Sequence, residues 1–318
     1  MSGRILALAG GVGGAKLALG LSQVLPSDAL TVAVNTADDF EHLGFSISPD
    51  LDTVMYTLAG VANPETGWGR QGESWTVMEA LGAVGGETWF RLGDKDLATH
   101  IERTRRLRAG ESLSSVMRDL AARLGVKPAM VPMSDDPVRT MVATDQGELA
   151  FQDWFVRLQC APAVKSVRFA GADTARPHCA LLDLGGLRGI VVCPSNPFVS
   201  VAPILALPGV RAALEQAKAP RVAVTPIVGG QAIKGPAAKM LAELGHDVSA
   251  LGVARYYRGW VDGFVLDAQD AALVADIAAL GMRVKVSDTM MRNDADKKRL
   301  AAEVLDFVDE LAISGQHS

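Results

Sequence analysis

Apolar runs of strand length alternate along this chain with stretches in which apolar residues recur every three or four positions. Ile5-Leu6-Ala7-Leu8-Ala9 is apolar on both faces, as a strand inside a parallel sheet must be, and residues 16–24 carry helical spacing. Residues 30–36 read as a second parallel strand. The same pattern returns at 189–193, 221–228, 264–266 and 283–286, before a terminal helix over 296–313. Two segments break the alternation. Residues 53–127 are mainly helical in spacing, whereas 139–144, 148–155 and 164–169 have the β-branched, alternating character of antiparallel strands, the first two joined by Asp145-Gln146-Gly147. The expected fold is α/β: a Rossmann-like, mostly parallel sheet in a single domain over 1–318, with a mainly helical insertion near 53–127 and a small β-rich annex near 138–170.

Composition narrows the class. Hydrophobic residues make up 49% and charged residues 21% of 318, with a net charge of -5, which describes a soluble globular protein without a basic face for nucleic acid. No apolar run reaches membrane-spanning length, and the first strand lacks the basic start and cleavage site of a secretory signal. A cytoplasmic protein without membrane contact is expected. Cys160, Cys179 and Cys193 are odd in number, widely spaced and set in apolar runs, so reduced core thiols are expected rather than disulfides or a metal site.

The chemistry begins at Ala9-Gly10-Gly11-Val12-Gly13-Gly14-Ala15-Lys16, between the first strand and the first helix. Glycines there let the chain turn tightly and let a ligand reach main-chain N–H groups, so the turn is suited to phosphate. It is not a Walker A loop, and it fits G-x-G-x-x-G only loosely, with Lys16 where the third glycine would fall. After the second strand come Asn35-Thr36-Ala37-Asp38-Asp39, and then Ser48-Pro49-Asp50-Leu51-Asp52 just ahead of a helical run. In an open parallel sheet these loops share an edge with the glycine turn, where carboxylates can hold a hard cation or an attacking hydroxyl. The same acids can equally serve as helix caps. Arg91 sits between apolar neighbours and needs a partner, whereas Arg103, Arg105, Arg106 and Arg108 read as a solvated helix face. Trp68 and Trp75, amid glycines and Arg70, could wall a flat ligand or simply join the core. Pro194-Ser195-Asn196-Pro197 is a rigid polar tip at a strand end, and Gly229-Gly230 followed by Lys234-Gly235-Pro236 marks a second candidate anion site.

In this order and spacing, the glycine turn, Asn35-Thr36-Ala37-Asp38-Asp39, Ser48-Pro49-Asp50-Leu51-Asp52-Thr53, Arg91-Leu92-Gly93-Asp94, Ser195-Asn196-Pro197 and Gly229-Gly230 with Lys234-Gly235-Pro236 closely resemble the 2-phospho-L-lactate transferase family. That family, called CofD or, in actinobacteria, FbiA, belongs to deazaflavin coenzyme F-420 biosynthesis. The resemblance runs nearly the whole length. It implies a transferase that moves a phospholactyl-type group from a GDP-linked donor to the ribityl hydroxyl of the deazaflavin Fo, releasing GMP, forming F-420-0 and requiring magnesium. The family's deazaflavin-contacting aspartate and basic residue fall on Asp50 and Arg91, and Asp50 is the expected catalytic group. Gly10, Gly11, Gly13, Gly14, Lys16, Ser195, Asn196 and Lys234 match segments that would surround the donor's phosphates and nucleotide. Asp38, Asp39 and Asp52 are the expected metal-holding acids, and a homodimer is the expected assembly.

Two other classes share the glycine turn. A nucleotide-sugar-binding regulator of the same fold would not need the acids around Asp50 or the Arg91 segment. A nicotinamide-dependent oxidoreductase would place a single acid at the end of the second strand, where this chain has Asn35 followed by a pair. The donor's acyl part, whether phospholactate, phosphoenolpyruvate or phosphoglycerate, is not announced by any motif.

Overall fold

The structure, a computed structural model, describes residues 3–315. Its frame is a seven-stranded sheet, every neighbouring pair parallel, built from β1 (Arg4–Ala9), β2 (Leu30–Val34), β3 (Ala129–Pro132), β4 (Leu187–Val192), β5 (Arg221–Val224), β6 (Gly263–Asp267) and β7 (Arg283–Ser287). In space the order is β3-β2-β1-β4-β5-β6-β7. The chain therefore winds outward from β1 in one direction and from β4 in the other, and the switch point lies between them, where loops diverge and a crevice opens. The expected α/β class and mostly parallel sheet are what the structure shows.

Both faces of the sheet are covered, which is why its inner strands are apolar along nearly their whole length, while the edge strand β7 keeps Arg283 and Lys285. Along β1, Leu6 and Leu8 enter one core with residues of β4, β5 and β6, while Ile5, Ala7 and Ala9 enter the other with α1 (Gly11–Val24) and α2 (Pro49–Leu58). Successive side chains of a strand point to opposite faces, so one six-residue strand nucleates both layers. The terminal helix α4 (Asp294–Gly315) completes the second layer through Leu300, Val304 and Val308.

Between β2 and β3 lie the hairpin Phe40–His42/Phe45–Ile47, α2, the helix Thr76–Ala83, α3 (Asp94–Arg108) and the helix Leu113–Arg123. Between β3 and β4 a separate antiparallel sheet joins Arg139–Thr144, Gly147–Ala150 and Val164–Ala170. The strand expected over 148–155 stops at Ala150. Phe151, Trp154 and Phe155 follow at helical spacing and coil into a turn that buries Trp154, whose Nε1–H donates to Pro162 O at 2.9 Å. All three cysteines are free thiols, yet only Cys193 is a core residue: Cys160 is half-buried and Cys179 is exposed. No single helix among the described residues is long and apolar enough to cross a membrane.

Candidate active site

The carboxyl ends of β1, β2 and β4 deliver the glycine turn, Asn35 and Ser195 to one place, because Leu8 pairs with Val192 and Ala9 with Val34. Ser195 Oγ accepts from Gly10 N–H at 3.0 Å and donates to Gly10 O at 2.9 Å, a reciprocal lock across the switch point. The lock requires glycine beside it. A Cβ on Gly14 would stand 2.4 Å from Ser195 Oγ, and one on Gly13 would stand 2.3 Å from Pro194 O. The two loops thus touch main chain to main chain, and α1 begins directly in the crevice with its first amides pointing into it.

Opposite this turn stands α2. Pro49 fits its first position, where the missing N–H is not needed, and Asp50 and Asp52 in the first turn suit the positive helix end. Asp50 crosses the crevice: its Oδ1 accepts from Gly11 N–H at 2.8 Å, and its Oδ2 accepts from Asn35 Nδ2 at 3.0 Å. Asn35 is fully buried. Its amide also donates to Val199 O at 3.1 Å, and its Oδ1 accepts from Ala37 N–H at 3.0 Å, so one side chain ties together the loops after β2 and β4 and the acid on α2. That role was not visible in the sequence, where Asn35 reads only as a strand-end residue.

The acids around Asp50 carry unusual protonation. Burial pushes Asp50 up to about 6, against the pull of Asn35 and the Gly11 amide. Burial also pushes Asp39 up to about 8, although Ser48 Oγ donates to its Oδ2 at 2.7 Å. Asp38 lies well above the usual carboxylate range, first through burial and then through the charge of Asp50. Thr36 Oγ1, Asp38 Oδ1 and Asp39 Oδ1 are buried and make no hydrogen bond within the protein. Buried oxygens without partners are costly, and a hard cation is a group that would satisfy them.

Asp52 departs from the expectation of a metal-holding acid. Its carboxylate is closed by Arg103, which bonds both of its oxygens, although its charge still helps to raise Asp39. Asp52, Asp96 and His100 form the one group of three acid or imidazole side chains, among the described residues, with ligand atoms within 4.8 Å of one another. The Arg103 guanidinium already supplies positive charge there, 3.2 Å from His100 Nδ1, so the group is an ion-pair network. Arg103 is also a correction to the solvated arginine face: it is fully buried, and Arg106 is paired with Glu111 and Asp119.

The remaining expected residues are spread around the crevice. Lys16 Nζ donates to Met291 O at 3.1 Å, its pKa lowered by burial and then by the charges of Lys297 and Lys234. Asn196 acts as a cap, its Oδ1 accepting from Phe198 N–H at 2.9 Å. Gly229 and Gly230 form the turn of a two-residue hairpin, so they do not open a second helix. Lys234 reaches instead to Glu65 O and Thr66 O, pinning a loop whose Gly67 lies against Val12 of the glycine turn. That loop carries Trp68, and Trp68, Arg70, Trp75 and Asp96 line one cleft. Arg91 is exposed, with its guanidinium 4.2 Å from the ring centre of Trp75. Asp96 Oδ1 accepts from Tyr56 O–H at 2.7 Å, and Tyr56 lies six residues beyond Asp50 on α2, about 9 Å along the axis at 1.5 Å per residue. The cleft and the acid are therefore two stations along one helix.

Comparisons with known proteins bear on the family and the fold. Residues 5–306 match the family model described as 2-phospho-L-lactate transferase CofD. The chain is 42% identical over 315 residues to a phosphoenolpyruvate transferase of Streptomyces griseus, covering 97% of this chain and 99% of that protein. It is 38% identical over 306 residues to a 2-phospho-L-lactate transferase of Methanosarcina acetivorans, covering 96% and 99%. Among solved structures, protein BH3568 of Bacillus halodurans superposes with a TM-score of 0.62 at 16% identity, covering 96% of this chain and 99% of that one, a likeness of fold alone. By the match of nearly its whole length, the chain belongs to the 2-phospho-L-lactate transferase family and is a phosphotransferase of that type.

Proposed function

We propose that the protein transfers a phospho-acyl group from a GDP-linked donor to the ribityl hydroxyl of the deazaflavin Fo, releasing GMP and forming F-420-0 or a variant of it. The observation that carries this reading is the position of Asp50, 2.8 Å from the first amide of the glycine-turn helix. An alcohol held by that carboxylate lies beside the place where a helix N-terminus receives phosphate. The relatives named 2-phospho-L-lactate transferase and phosphoenolpyruvate transferase support the phospho-acyl class of the donor.

Transfer at phosphorus is chiefly a matter of alignment and charge neutralisation, so no covalent nucleophile on the protein is needed. The acceptor oxygen bonds to the phosphorus carrying the acyl group, the bridging P–O bond breaks, and GMP departs with the bridging oxygen. The hydroxyl proton passes to Asp50. Gly10, Gly11, Gly13 and Gly14 let the donor's diphosphate approach the start of α1, with Lys16 and Lys234 as cations at its rim. Magnesium fits the unpartnered oxygens of Thr36, Asp38 and Asp39, which are the hard donors that ion prefers, and Asp38 and Asp39 would hold it. The ion, when bound, would neutralise charge on the diphosphate. Arg91 and Trp75, with the cleft beside them, would take the deazaflavin ring, whose flat face suits an aromatic and guanidinium surface. The proposed setting is a cytoplasmic homodimer. The helix Thr76–Ala83 and its end expose Val77 and Val84, an apolar edge on which a second copy would pack.

Incubation of the purified protein with Fo, magnesium and each GDP-linked donor in turn, followed by mass spectrometry, tests the reading. It requires GMP and a phospho-acyl adduct of Fo with at least one donor. No adduct with any of the three would remove it.

A further inference from the structure

We propose that Asp50 and the donor's diphosphate compete for the amide that opens α1, so that donor binding is the event that frees Asp50 for the acceptor. This rests on the reading that the glycine turn receives the donor's phosphates, and it adds an order of events to it.

The donors of the turn are already held by groups of the protein itself. Gly10 N–H is committed to Ser195 Oγ, which returns a bond to Gly10 O; Ser195 is buried, and that pair belongs to the wall of the crevice. The first amide of α1, on Gly11, is taken by a carboxylate oxygen of Asp50. A carboxylate at a helix N-terminus and a phosphate at a helix N-terminus answer to the same field and the same donors. One N–H cannot point straight at both. Two anions sharing it would also stand within a few ångströms of each other in a poorly solvated crevice, where like charges repel strongly. Asp50 is thus an internal anion in the donor's place.

Its second bond keeps the exchange local. Asp50 Oδ2 is held by Asn35, which is itself fixed to Val199 O and the Ala37 amide. When a phosphate oxygen takes the Gly11 amide, Oδ1 loses its partner while Oδ2 keeps Asn35. The released oxygen is then the acceptor for the incoming hydroxyl. No covalent bond is made or broken in this step, and the acceptor site is completed by the donor rather than before it. Such coupling is reciprocal: donor and acceptor must strengthen each other's binding by the same factor.

The test is calorimetric titration of GDP, with metal chelated, into the native protein, Asp50→Asn and Asp50→Ala. The first variant keeps the shape and one of the two accepting oxygens while removing the charge, and the second opens the space, so the two together separate charge from bulk and from misfolding. Both should bind GDP more tightly than the native protein, by about tenfold, the scale of a partly buried charge at a helix end. Equal or weaker binding by Asp50→Asn overturns the proposal, while GDP binding by the native protein leaves the donor site itself standing. In the native protein Fo should bind more tightly with saturating GDP than without it, and that ratio should fall to about one in Asp50→Asn; an unchanged ratio counts against the competition as firmly. Failure of GDP to bind any of the three proteins overturns both this proposal and the donor site.

Discussion

Arg103 is completely buried, and both of its terminal nitrogens are turned onto the carboxylate of Asp52, 51 residues earlier in the chain. Asp52 shares the first turn of α2 with Asp50, so this ion pair sets how the turn faces the glycine loop. Arg103 also donates to Ser46 O at 3.3 Å, holding the hairpin that leads into α2.

Removal of one partner should therefore be expensive. Arg103→Met leaves a buried carboxylate unpaired and is expected to destabilise the fold by about 3–5 kcal/mol. The joint change Asp52→Leu with Arg103→Met should restore most of that loss, since a buried pair is replaced by apolar contact. Urea unfolding of the three proteins measures it. A single variant as stable as the native chain would contradict the pairing.

Asp39 makes a pH prediction with a definite sign. Its unfolded value lies near 3.8 and its folded value near 8, so between them the folded state keeps a proton that the unfolded state has lost. The stabilisation from that bound proton is full below about pH 4, declines as pH rises through the window and is gone above 8. With metal chelated, the melting temperature of the native protein relative to Asp39→Asn should fall across this range and then level off. A difference that does not vary with pH would exclude a protonated Asp39.

Asp50, with a folded value near 6, should act as proton acceptor only above that pH. The rate constant kcat/KM is expected to rise with pH along an acid limb centred near 6, and Asp50→Asn should have no measurable turnover. Full activity in the variant, or a flat profile between pH 5 and 7, would take the proton-accepting role from this residue.

Arg91 bears on the acceptor alone. Loss of its guanidinium from the face of Trp75 in Arg91→Ala should weaken Fo binding by roughly 2- to 30-fold, the range for a cation–aromatic contact worth about 0.5–2 kcal/mol, and leave GDP affinity unchanged. Fluorescence titration with Fo and calorimetry with GDP read the two effects separately.

The parts of the site that were legible in the sequence are those whose signal is local. The apolar run of β1, the glycines after it and the acids after β2 are each announced within a dozen residues, and parallel strands send such loops to one edge. Asn35, Arg103 and Lys234 were not legible in their roles. Asn35 works through Val199, 164 residues away, and Lys234 through Thr66, 168 residues away, partners that no periodicity reveals. Arg103 lay hidden in a run of arginines whose other members are exposed or paired near the surface, and its burial depends on Asp52 arriving from α2. The strand expected through Phe155 ends at Ala150 for a local reason: Phe151, Trp154 and Phe155 are spaced for a helical turn and not for a pleat.

The most direct test of the account is a crystal structure with GDP and manganese in place of magnesium, with the metal located by its anomalous signal. The account predicts the diphosphate against the amides of Gly11 and Val12, the metal beside Asp38 and Asp39, and Asp50 no longer bonded to Gly11. A diphosphate bound at the Gly229–Gly230 hairpin, or a metal held by Asp52, Asp96 and His100, would contradict it.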